Sequence, residues 1–449
     1  MRKYCAGQGT GCKEVMRSEV VSVDAPFDMP PITIPDFSGC PRISIMQFGA
    51  EPDNQVATTQ AIARAIDEAC EAGGGVVVVP EGRWLTGAVH LQSHVNLHLE
   101  KGAVLEFSAE PEDYLPAVQT TWEGLECFNY SPLIYAFNCR NVAISGAGGL
   151  YARLDVWEQW YARPPAHLDA LRRLYDMASN AVPVETRQMV GNEAHLRPQF
   201  IQFNRCENVL IEGVSIENSP FWVIHPFLSK DIVIRNVNVS AHGHNNDGVD
   251  PEMSRNVLIE RCVFDQGDDA VSVKSGRNRD AWRLNAPAKN IVIRDCLVRS
   301  GHQLLAVGSE LSGGVENVLV ENCRVDESVV NLGHLLYIKT NERRGGYVKN
   351  IFMRRVSAGH LTGGILGIET DVLYQWKDLV PTHEVRLTPI SHIFLEDVQA
   401  GSVQYVARIE GQEAIPVEDV LLVNVGPGTV SGEPFQNRNV NGFTCRKHR

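Results

Sequence analysis

The sequence predicts an all-β fold, a parallel β-helix, and two observations support this prediction. First, one short phrase recurs along most of the chain: a polar residue, usually Asn or Asp, followed by three mostly apolar residues. The phrase begins at Asn141, Asn208, Asp231, Asn256, Asn290, Asn317, Asn350, His392 and Asp419. Second, consecutive phrases from residue 208 onward are separated by 23 to 42 residues, a period typical of a solenoid. Such coils are too short to hold a helix in every repeat, which disfavours leucine-rich and ankyrin-type solenoids.

The start of the chain predicts an arm and a capping helix before the first coils. Residues 1–40 are rich in proline and predict an irregular N-terminal arm. The apolar spacing over 58–72 predicts a helix, capped by one of its first two residues, both threonine, and ended by three glycines. Such a helix would cover the end of a solenoid core. We expect residues 41–449 to form a single β-helix domain.

Residues 151–198 interrupt the ladder and are predicted to form an insertion between coils. They include several aromatic residues and a helical stretch over 166–178. Their composition fits either a packed excursion with a small core of its own or a wall over one end of a cleft. Loops carried on a rigid scaffold are where binding residues concentrate. A second long loop, 327–335, is a further candidate for closing such a cleft.

Composition limits the classes of partner. The chain of 449 residues has a formal net charge of −13, which argues against nucleic acid because phosphate binding needs a basic surface. No apolar run reaches the length of a transmembrane helix, so no membrane partner is expected. The first twenty residues lack the apolar region of a signal peptide. We therefore expect a cytoplasmic protein, or a periplasmic or extracellular one whose signal was removed; the oligomeric state stays open.

The eleven cysteines are expected to be structural. Four of them recur near the repeated phrase, namely Cys206, Cys262, Cys296 and Cys323. This recurrence predicts a column of small buried side chains. No CxxC pair occurs, so a metal site built on cysteine is not expected. Pairing between Cys5 and Cys12 in an oxidising compartment stays open.

Charged and polar residues cluster in four segments on consecutive predicted coils. The segments are 245–252, 267–277, 300–310 and 337–346. Asp268 lies twelve residues after Asn256, and His302 lies twelve residues after Asn290. Since neighbouring coils stack about 4.8 Å apart, these two side chains are expected to lie close together. The same stacking predicts a patch of three carboxylates, Asp247, Asp268 and Asp269, edged by His and Lys.

This crowding of acids predicts hydrolysis of a glycosidic bond. Like charges raise the pKa of at least one carboxyl group, and a glycosidase needs one protonated acid together with one carboxylate that activates water. Two other interpretations fit these residues: a simple turn at Asp268 and Asp269, and a calcium site, because clustered acids bind hard cations. The second acidic motif and the nearby basic residues favour the catalytic interpretation.

The order of the motifs resembles glycoside hydrolase family 28, the polygalacturonase family, and within it the exo-polygalacturonase-like bacterial members. The family pattern runs Asn-x-Asp, Gly-Asp-Asp, Gly-His-Gly and Arg-x-Lys. The corresponding segments here are Asn245-Asn-Asp247, Gly267-Asp268-Asp269, Gly301-His302-Gln303 and Tyr337-Ile-Lys339. The resemblance covers most of the chain. It implies a right-handed parallel β-helix and inverting hydrolysis of α-linked galacturonic acid in pectin or pectic oligosaccharides, with no cofactor and no metal.

The resemblance also implies a role for each matching residue. Asp268 would be the general acid, while Asp247 and Asp269 would hold and deprotonate the attacking water. His302 would tune or orient the acid, and Lys339 would bind a substrate carboxylate.

Two positions depart from the family pattern and bear on substrate binding. Gln303 stands where the family has Gly, and Tyr337 stands where it has Arg. Arg343 or Arg344 is the candidate replacement for the missing cation. The predicted substrate-binding residues are Lys339, Lys274, Arg277, Tyr337, Gln303, Arg343 and Asn245. For Lys274 and Arg277 the alternative is ordinary solvated charge or ion pairing with the acids.

These departures and the insertion favour exo action on chain ends over a standard endo-acting enzyme. Three alternatives stay open at this stage. They are hydrolysis of another pectic linkage such as galacturonate–rhamnose, β-elimination by a pectate-lyase-like β-helix, and a non-catalytic carbohydrate-binding β-helix.

Overall fold

A computed structural model describes residues 17–374, 376–380 and 384–447. Its strands stack as successive coils with parallel neighbours, which confirms the predicted parallel β-helix. The longest sheet has 21 strands. They are Arg42–Ser44, Gly75–Val79, Gly82–Thr86, Val95–Leu99, Ala103–Phe107, Arg140–Gly146, Gly149–Ala152, Glu207–Glu212, Ser215–Glu217, Lys230–Arg235, Asn238–Ala241, Arg255–Glu260, Val263–Gln266, Ala288–Arg294, Leu297–Ser300, Val315–Glu321, Arg324–Val325, Val348–His360, Ile390–Val403, Val417–Val430 and Val440–Arg446.

Two smaller parallel sheets form the side of the solenoid that carries the predicted site. One comprises Val271–Val273, Gln303–Gly308, His334–Lys339, Gly364–Glu369, Tyr405–Glu410 and Phe435–Arg438. The other comprises Val89–Leu91, Ile134–Phe137, Ile201–Asn204 and Ile224–Phe227. Two antiparallel pairs complete the strands, Arg17–Val21 with Ile32–Asp36 and Val118–Trp122 with Leu125–Asn129.

The repeated phrase forms a ladder along the long sheet. Its first residue adopts a positive φ in every coil, for example 56° at both Asn256 and Asn290, and Asn and Asp tolerate this left-handed conformation better than other side chains. Each amide also reaches the coil before it: Asn290 Nδ2 donates to Asn256 Oδ1 at 3.1 Å, and Asn317 Nδ2 donates to Asn290 Oδ1 at 2.9 Å. The phrase therefore fixes the register of the coils as well as their period.

Inward-facing residues of the coils form one continuous apolar core. Val257, Ile291, Val318 and Ile351 are partners in successive strands and are fully buried. The four cysteines predicted to form a buried column are buried free thiols, as expected. Cys5 and Cys12 lie outside the described residues.

The helices flank the coils rather than belonging to them. The α-helices are Gln55–Glu71, Pro165–Ser179, Asn278–Leu284 and Trp376–Leu379. The short 3₁₀ segments are Ile45–Phe48, Pro111–Tyr114, Trp157–Ala162 and Val184–Thr186. Within the described parts of the chain, no helix has both the length and the apolar character needed to cross a membrane.

The first long helix packs on the core as predicted, but its cap is different. Its buried face, including Ile62 and Ile66, joins the main core. The expectation that a threonine caps the helix is wrong, because Asn54 Oδ1 accepts from the Ala57 amide at 3.1 Å. Thr58 is instead buried, and its hydroxyl donates to the Glu51 carbonyl at 2.6 Å.

The segment expected to be an irregular arm contains two short strands in its described part, and it packs on the outside of the long sheet. Ile32 and Ile34 are fully buried there against outward-facing residues such as Val233 and Leu258. Farther along, the helix Pro165–Ser179 of the insertion forms a second apolar cluster with Trp122, Phe221 and Trp376. This cluster stands directly beside the predicted site.

Candidate active site

The four polar segments meet on one side of the solenoid, where the smaller sheets end. Asp268 and Asp269 precede the strand Val271–Val273, and His302 precedes the next strand, Gln303–Gly308. Backbone hydrogen bonds join the coils at this point: the His302 amide donates to the Asp268 carbonyl at 2.9 Å. The Gly248 amide donates to the Asp269 carbonyl, also at 2.9 Å. Asp247 is therefore held one coil before the aspartate pair.

Side-chain contacts then join the acids to their basic neighbours. His302 Nδ1 lies 3.0 Å from Asp268 Oδ1, and Lys339 Nζ donates to Asp269 Oδ2 at 3.1 Å. Lys274 Nζ lies 3.5 Å from Asp247 Oδ2. The structure thus brings together every residue that the sequence assigned to the catalytic group.

The exposed fraction of each side chain divides this cluster into an upper layer, which faces solvent, and a lower, buried layer. The side chains of His302 and Asp268 are 60% and 20% exposed, whereas those of Asp247 and Asp269 are 4% and 1% exposed. Among the described residues, Asp269 Oδ1 has no hydrogen-bond partner. A substrate therefore meets His302 and Asp268 first, and the two buried carboxyls form the floor beneath them.

The buried carboxyls have raised pKa values, as the crowding of acids predicted. Burial and then the charge of Asp268 raise the pKa of Asp247 to about 7. Burial also raises the pKa of Asp269, although the nearby Lys339 opposes this effect. Neutral and ionised forms of Asp247 are therefore both accessible near neutral pH.

The general acid is expected to be a protonated carboxyl, and the protonation state of Asp268 does not fit this expectation. Burial acts to raise its pKa, but the hydrogen bond from His302 and the charge of Lys339 outweigh burial, so the pKa of Asp268 is lowered. The same hydrogen bond raises the pKa of His302. In the free site the shared proton therefore rests on the imidazole, and the carboxyl is ionised.

The same cluster could supply ligands to a cation. One atom each from Asp268, Asp269 and His302 lie within 4.8 Å of one another. However, the ammonium of Lys339 already contacts Asp269, and a proton on His302 would exclude a metal from that nitrogen. The contacts therefore favour acid–base chemistry over the calcium site that the sequence left open.

Comparison with known proteins decides the family. The model of glycosyl hydrolases family 28 matches residues 185–445. The chain belongs to glycosyl hydrolases family 28. It is therefore a glycoside hydrolase, and the resemblance seen in its motifs is confirmed.

Relatives of this family 28 enzyme extend the match over nearly the whole chain. A hyperthermoactive exopolygalacturonase from Thermotoga maritima is 38% identical with a TM-score of 0.81, over 92% of this chain and 94% of that one. A probable polygalacturonase of Vitis vinifera is 29% identical over 85% of this chain and 73% of its own length. An exo-poly-alpha-D-galacturonosidase of Dickeya chrysanthemi is 27% identical over 65% of this chain and 51% of its own length. The structural match confirms the right-handed form of the β-helix.

Two cations predicted to bind substrate are instead internal to the family 28 enzyme. Lys274 and Arg277 are almost fully buried. Both contact Glu310, whose carboxylate lies 3.4 Å from Lys274 Nζ and 2.6 Å from Arg277 Nη2. Burial alone would raise the pKa of Glu310, but the charges of Lys274 and Arg277 lower it. Lys274 thus neutralises the floor of the site from below, and Arg277 is an ion-pair partner that does not face substrate.

Arg343 and Arg344 do not replace the missing family arginine either. Arg343 is buried and donates to the backbone carbonyls of Trp376 and Val380. Arg344 is also buried, and it donates to the Ser309 carbonyl at 2.7 Å. Both guanidinium groups hold loops in place.

The other predicted binding residues line the site. Asn245 Oδ1 accepts from Arg197 Nη2 at 2.9 Å. Gln303 Oε1 lies 2.9 Å from His334 Nδ1, and the His334 ring stacks on Tyr337 with centroids 4.7 Å apart. Gln303 and Tyr337, the two departures from the family pattern, are therefore linked through one histidine.

Several residues near the site carried no sequence signal. Arg163, from the insertion, has Nη2 2.6 Å from His244 Nε2. Burial and then Arg163 lower the pKa of His244 to about 4, so this imidazole is neutral. Tyr374 is 58% exposed. Burial raises the pKa of Tyr374, the charge of Lys339 opposes this effect, and the charge of Asp269 adds to it.

Proposed function

We propose that this glycoside hydrolase is an exo-acting polygalacturonase that cleaves α-linked galacturonic acid in pectin or pectic oligosaccharides with inversion. One observation carries the proposal: an accessible Asp268–His302 pair lies above two buried carboxyls, Asp247 and Asp269. Inverting hydrolysis needs an acid on the leaving oxygen and a separate carboxylate on the attacking water. The family membership and the exo-type relatives support the same reaction.

In the proposed reaction the proton reaches Asp268 from His302. In the free site the imidazolium and the carboxylate form an ion pair 3.0 Å apart. A sugar that covers this pair removes water from it, and loss of water disfavours charged forms. The neutral pair, with the proton on Asp268, therefore gains in relative stability when substrate binds. Asp268 can then donate that proton to the leaving glycosidic oxygen.

The buried carboxyls provide the base. Lys339 occupies Asp269 Oδ2, which leaves the unpartnered Oδ1 as an acceptor for the attacking water. Asp247, with its pKa raised to about 7, can take up the proton that the water loses. Lys339 is 13% exposed, so a substrate carboxylate can approach it from above while Asp269 holds it from below.

The insertion supplies the reason for exo action. Its Tyr161 packs so closely on Gly243 that a Cβ added there would lie 2.3 Å from the tyrosine hydroxyl. At the end of the insertion, Arg197 donates to the His244 carbonyl at 2.7 Å, and Arg163 Nη2 lies 2.6 Å from His244 Nε2. This wall contacts Gly243 and His244, which lie four and three residues before Asp247 on the same coil. A wall there ends the groove close to the cleaved bond, which favours release of one terminal sugar at a time.

A timed product analysis tests this function. Homogalacturonan, rhamnogalacturonan and short oligogalacturonides are digested, and the products are separated by chromatography. We expect galacturonic acid alone from homogalacturonan at early times. Mixed oligomers would contradict exo action, cleavage of rhamnogalacturonan alone would show the other pectic linkage, and an unsaturated product absorbing in the ultraviolet would show a lyase.

A matched pair of variants separates catalysis from binding. Asp268→Asn removes the proposed acid and should lower kcat by roughly 100-fold or more, while oligogalacturonide binding persists. Asp295→Asn is the control. Asp295 is an exposed aspartate directly after a strand of the long sheet, and its backbone is left-handed, a conformation that Asn also accepts. Equal activity of the two variants would mean that Asp268 is not the acid.

A further inference from the structure

The sheet that carries Lys339 continues for several coils beyond the catalytic residues. In its register Tyr337 pairs with Gly367, and Gly367 pairs with Arg408. Tyr337 and Arg408 are therefore separated by one coil that has no side chain at this position. Tyr337 stands where the family pattern has Arg. The guanidinium of Arg408 lies two coils away in the same column of the sheet.

Aromatic rings occupy the space that the glycine coil leaves. A Cβ on Gly367 would lie 2.8 Å from the Tyr337 ring, and a Cβ on Gly364 would lie 2.3 Å from the Tyr405 ring. His334 lies between these rings: it stacks on Tyr337, and its Nε2 lies 2.5 Å from the Tyr405 hydroxyl. The result is a continuous floor of three rings that runs from the Lys339 coil to the Arg408 coil.

Arg408 is held at the far end of this floor. Its guanidinium carbon lies 4.9 Å from the centre of the Tyr405 ring, and Nη2 contacts Glu369. The side chain is still 32% exposed, and a guanidinium has five N–H donors in a planar fork that fits a carboxylate. Burial, then the charges of Arg408 and Lys339, lower the pKa of His334 to about 3, so the histidine between the two cations is neutral.

We propose that Arg408 supplies the guanidinium that position 337 lacks and binds a second uronate carboxylate of the substrate at the far end of the aromatic floor. The inference rests on the proposed function, because it takes the substrate to be a polymer of uronic acid. Lys339 and Arg408 are then two cationic contacts separated by two coils, roughly 10 Å at the usual strand spacing. The rings of Tyr337, His334 and Tyr405 lie between these two contacts.

A purely structural role explains the arrangement less well. Partly exposed ion pairs such as Arg408 with Glu369 contribute little to stability. Glu410, the other acid near this position, has its own partner, since Arg438 Nε lies 3.3 Å from its carboxylate. Glu369 is thus the acid that orients Arg408, and donors remain for a ligand.

The test compares free and methyl-esterified substrates. Arg408→Gln is assayed on oligogalacturonides with free carboxylates and on the same oligomers as methyl esters, which carry no charge. We expect kcat/KM on the free acids to fall roughly 10-fold or more, the usual effect of losing a charge-assisted hydrogen bond, and little change on the esters. Arg408→Lys should recover part of the loss, because lysine keeps the charge without the fork. Arg324→Gln, at an exposed arginine of the long sheet, is the matched control.

Binding measurements make the inference independent of turnover. Affinity for free oligogalacturonides is measured by calorimetry in the Asp268→Asn protein, with and without Arg408→Gln. Weaker binding of the free acids alone supports the inference, whereas unchanged binding, or an equal loss for acids and esters, overturns it. If the unaltered protein hydrolyses no galacturonan at all, the proposed function fails, and the calorimetry still decides whether Arg408 reads a carboxylate.

Discussion

His302 Nδ1 lies 3.0 Å from Asp268 Oδ1, and this pair is the accessible part of an otherwise buried acidic site. The contact lowers the pKa of Asp268 against the effect of burial and raises that of His302. One proton is therefore shared by two groups, and its position depends on solvation. In the proposed reaction this relationship gives the histidine a function beyond orientation, since His302 would store the proton that Asp268 delivers.

The first prediction concerns pH dependence. In the unaltered enzyme the basic limb of kcat/KM should reflect loss of the proton from His302, whose pKa is raised above its ordinary value. In His302→Gln the proton must be held by Asp268 alone, which loses it at lower pH. The basic limb should therefore move to lower pH, and kcat/KM near neutral pH should fall by about 100-fold. A pH–rate profile measures both effects.

His360→Gln serves as the control for this prediction, because His360 is an exposed histidine on the long sheet. Its profile should match that of the unaltered enzyme. A basic limb that stays in place in His302→Gln would show that the imidazole does not hold the catalytic proton.

The second prediction concerns the buried pair of Lys339 and Asp269. Lys339→Met leaves a carboxyl that is 1% exposed without its cation, and breaking a buried pair in this way costs about 3–5 kcal/mol. The pKa of Asp269 is already raised, and loss of Lys339 raises it further. An acid whose pKa is higher in the folded than in the unfolded state destabilises the fold as the pH rises above the unfolded-state pKa. The loss in free energy of unfolding should therefore be large at pH 7.5 and smaller near pH 4.5. Urea denaturation at the two pH values measures it.

A second substitution makes this prediction specific. Lys339→Met combined with Asp269→Asn removes the unpaired charge and should regain part of the lost stability without regaining activity. If the loss of stability does not depend on pH and Asp269→Asn does not relieve it, the effect comes from lost packing and not from an unpaired charge.

The sequence was sufficient to predict which residues meet at the candidate site because the ladder carries the register. Once Asn256 and Asn290 are known to begin neighbouring coils, Asp268 and His302 must meet. The burial of Lys274 could not be predicted, since a charged residue looks the same in a sequence whether it is solvated or paired with Glu310. The same holds for Arg277.

Long-range contacts were the other part that the sequence did not reveal. Arg163 reaches His244 from a segment 81 residues earlier, and no period relates the insertion to the coils. The position of Arg408 relative to Tyr337 follows only from the strand register, in which both residues pair with Gly367. The first example depends on a side chain of the insertion and the second on the pairing of individual strands, and the repeated phrase alone describes neither.

The third prediction tests the ladder itself. Asn290 both donates to Asn256 and accepts from Asn317, and its φ is 56°. Asn290→Ala removes two hydrogen bonds and places an alanine in the left-handed region, for a combined cost of about 2–4 kcal/mol. Asn290→Gly loses the hydrogen bonds but avoids the backbone strain. Urea denaturation should therefore rank stability as unaltered enzyme, then glycine, then alanine; an alanine variant as stable as glycine would contradict the role of the left-handed backbone.

The fourth prediction concerns the wall at the end of the groove. Tyr161 packs against Gly243, and Arg163 contacts His244, so Tyr161→Ala combined with Arg163→Ala should open the groove on the side before Asp247. A polymer could then extend past the cleaved bond in both directions. We expect early products to change from galacturonic acid alone to a mixture that includes dimers and trimers, while kcat changes little because the catalytic residues are untouched.

The control for the wall must lie on the same insertion but away from the site. Arg173 meets this need, since it is an exposed residue of the helix Pro165–Ser179. Arg173→Ala should keep the product profile of the unaltered enzyme. If the double variant also releases only galacturonic acid, the wall does not set the mode of action. Another segment, such as the loop 327–335 on the far side of His302, must then close the groove, and shortening that loop should produce the mixed oligomers instead.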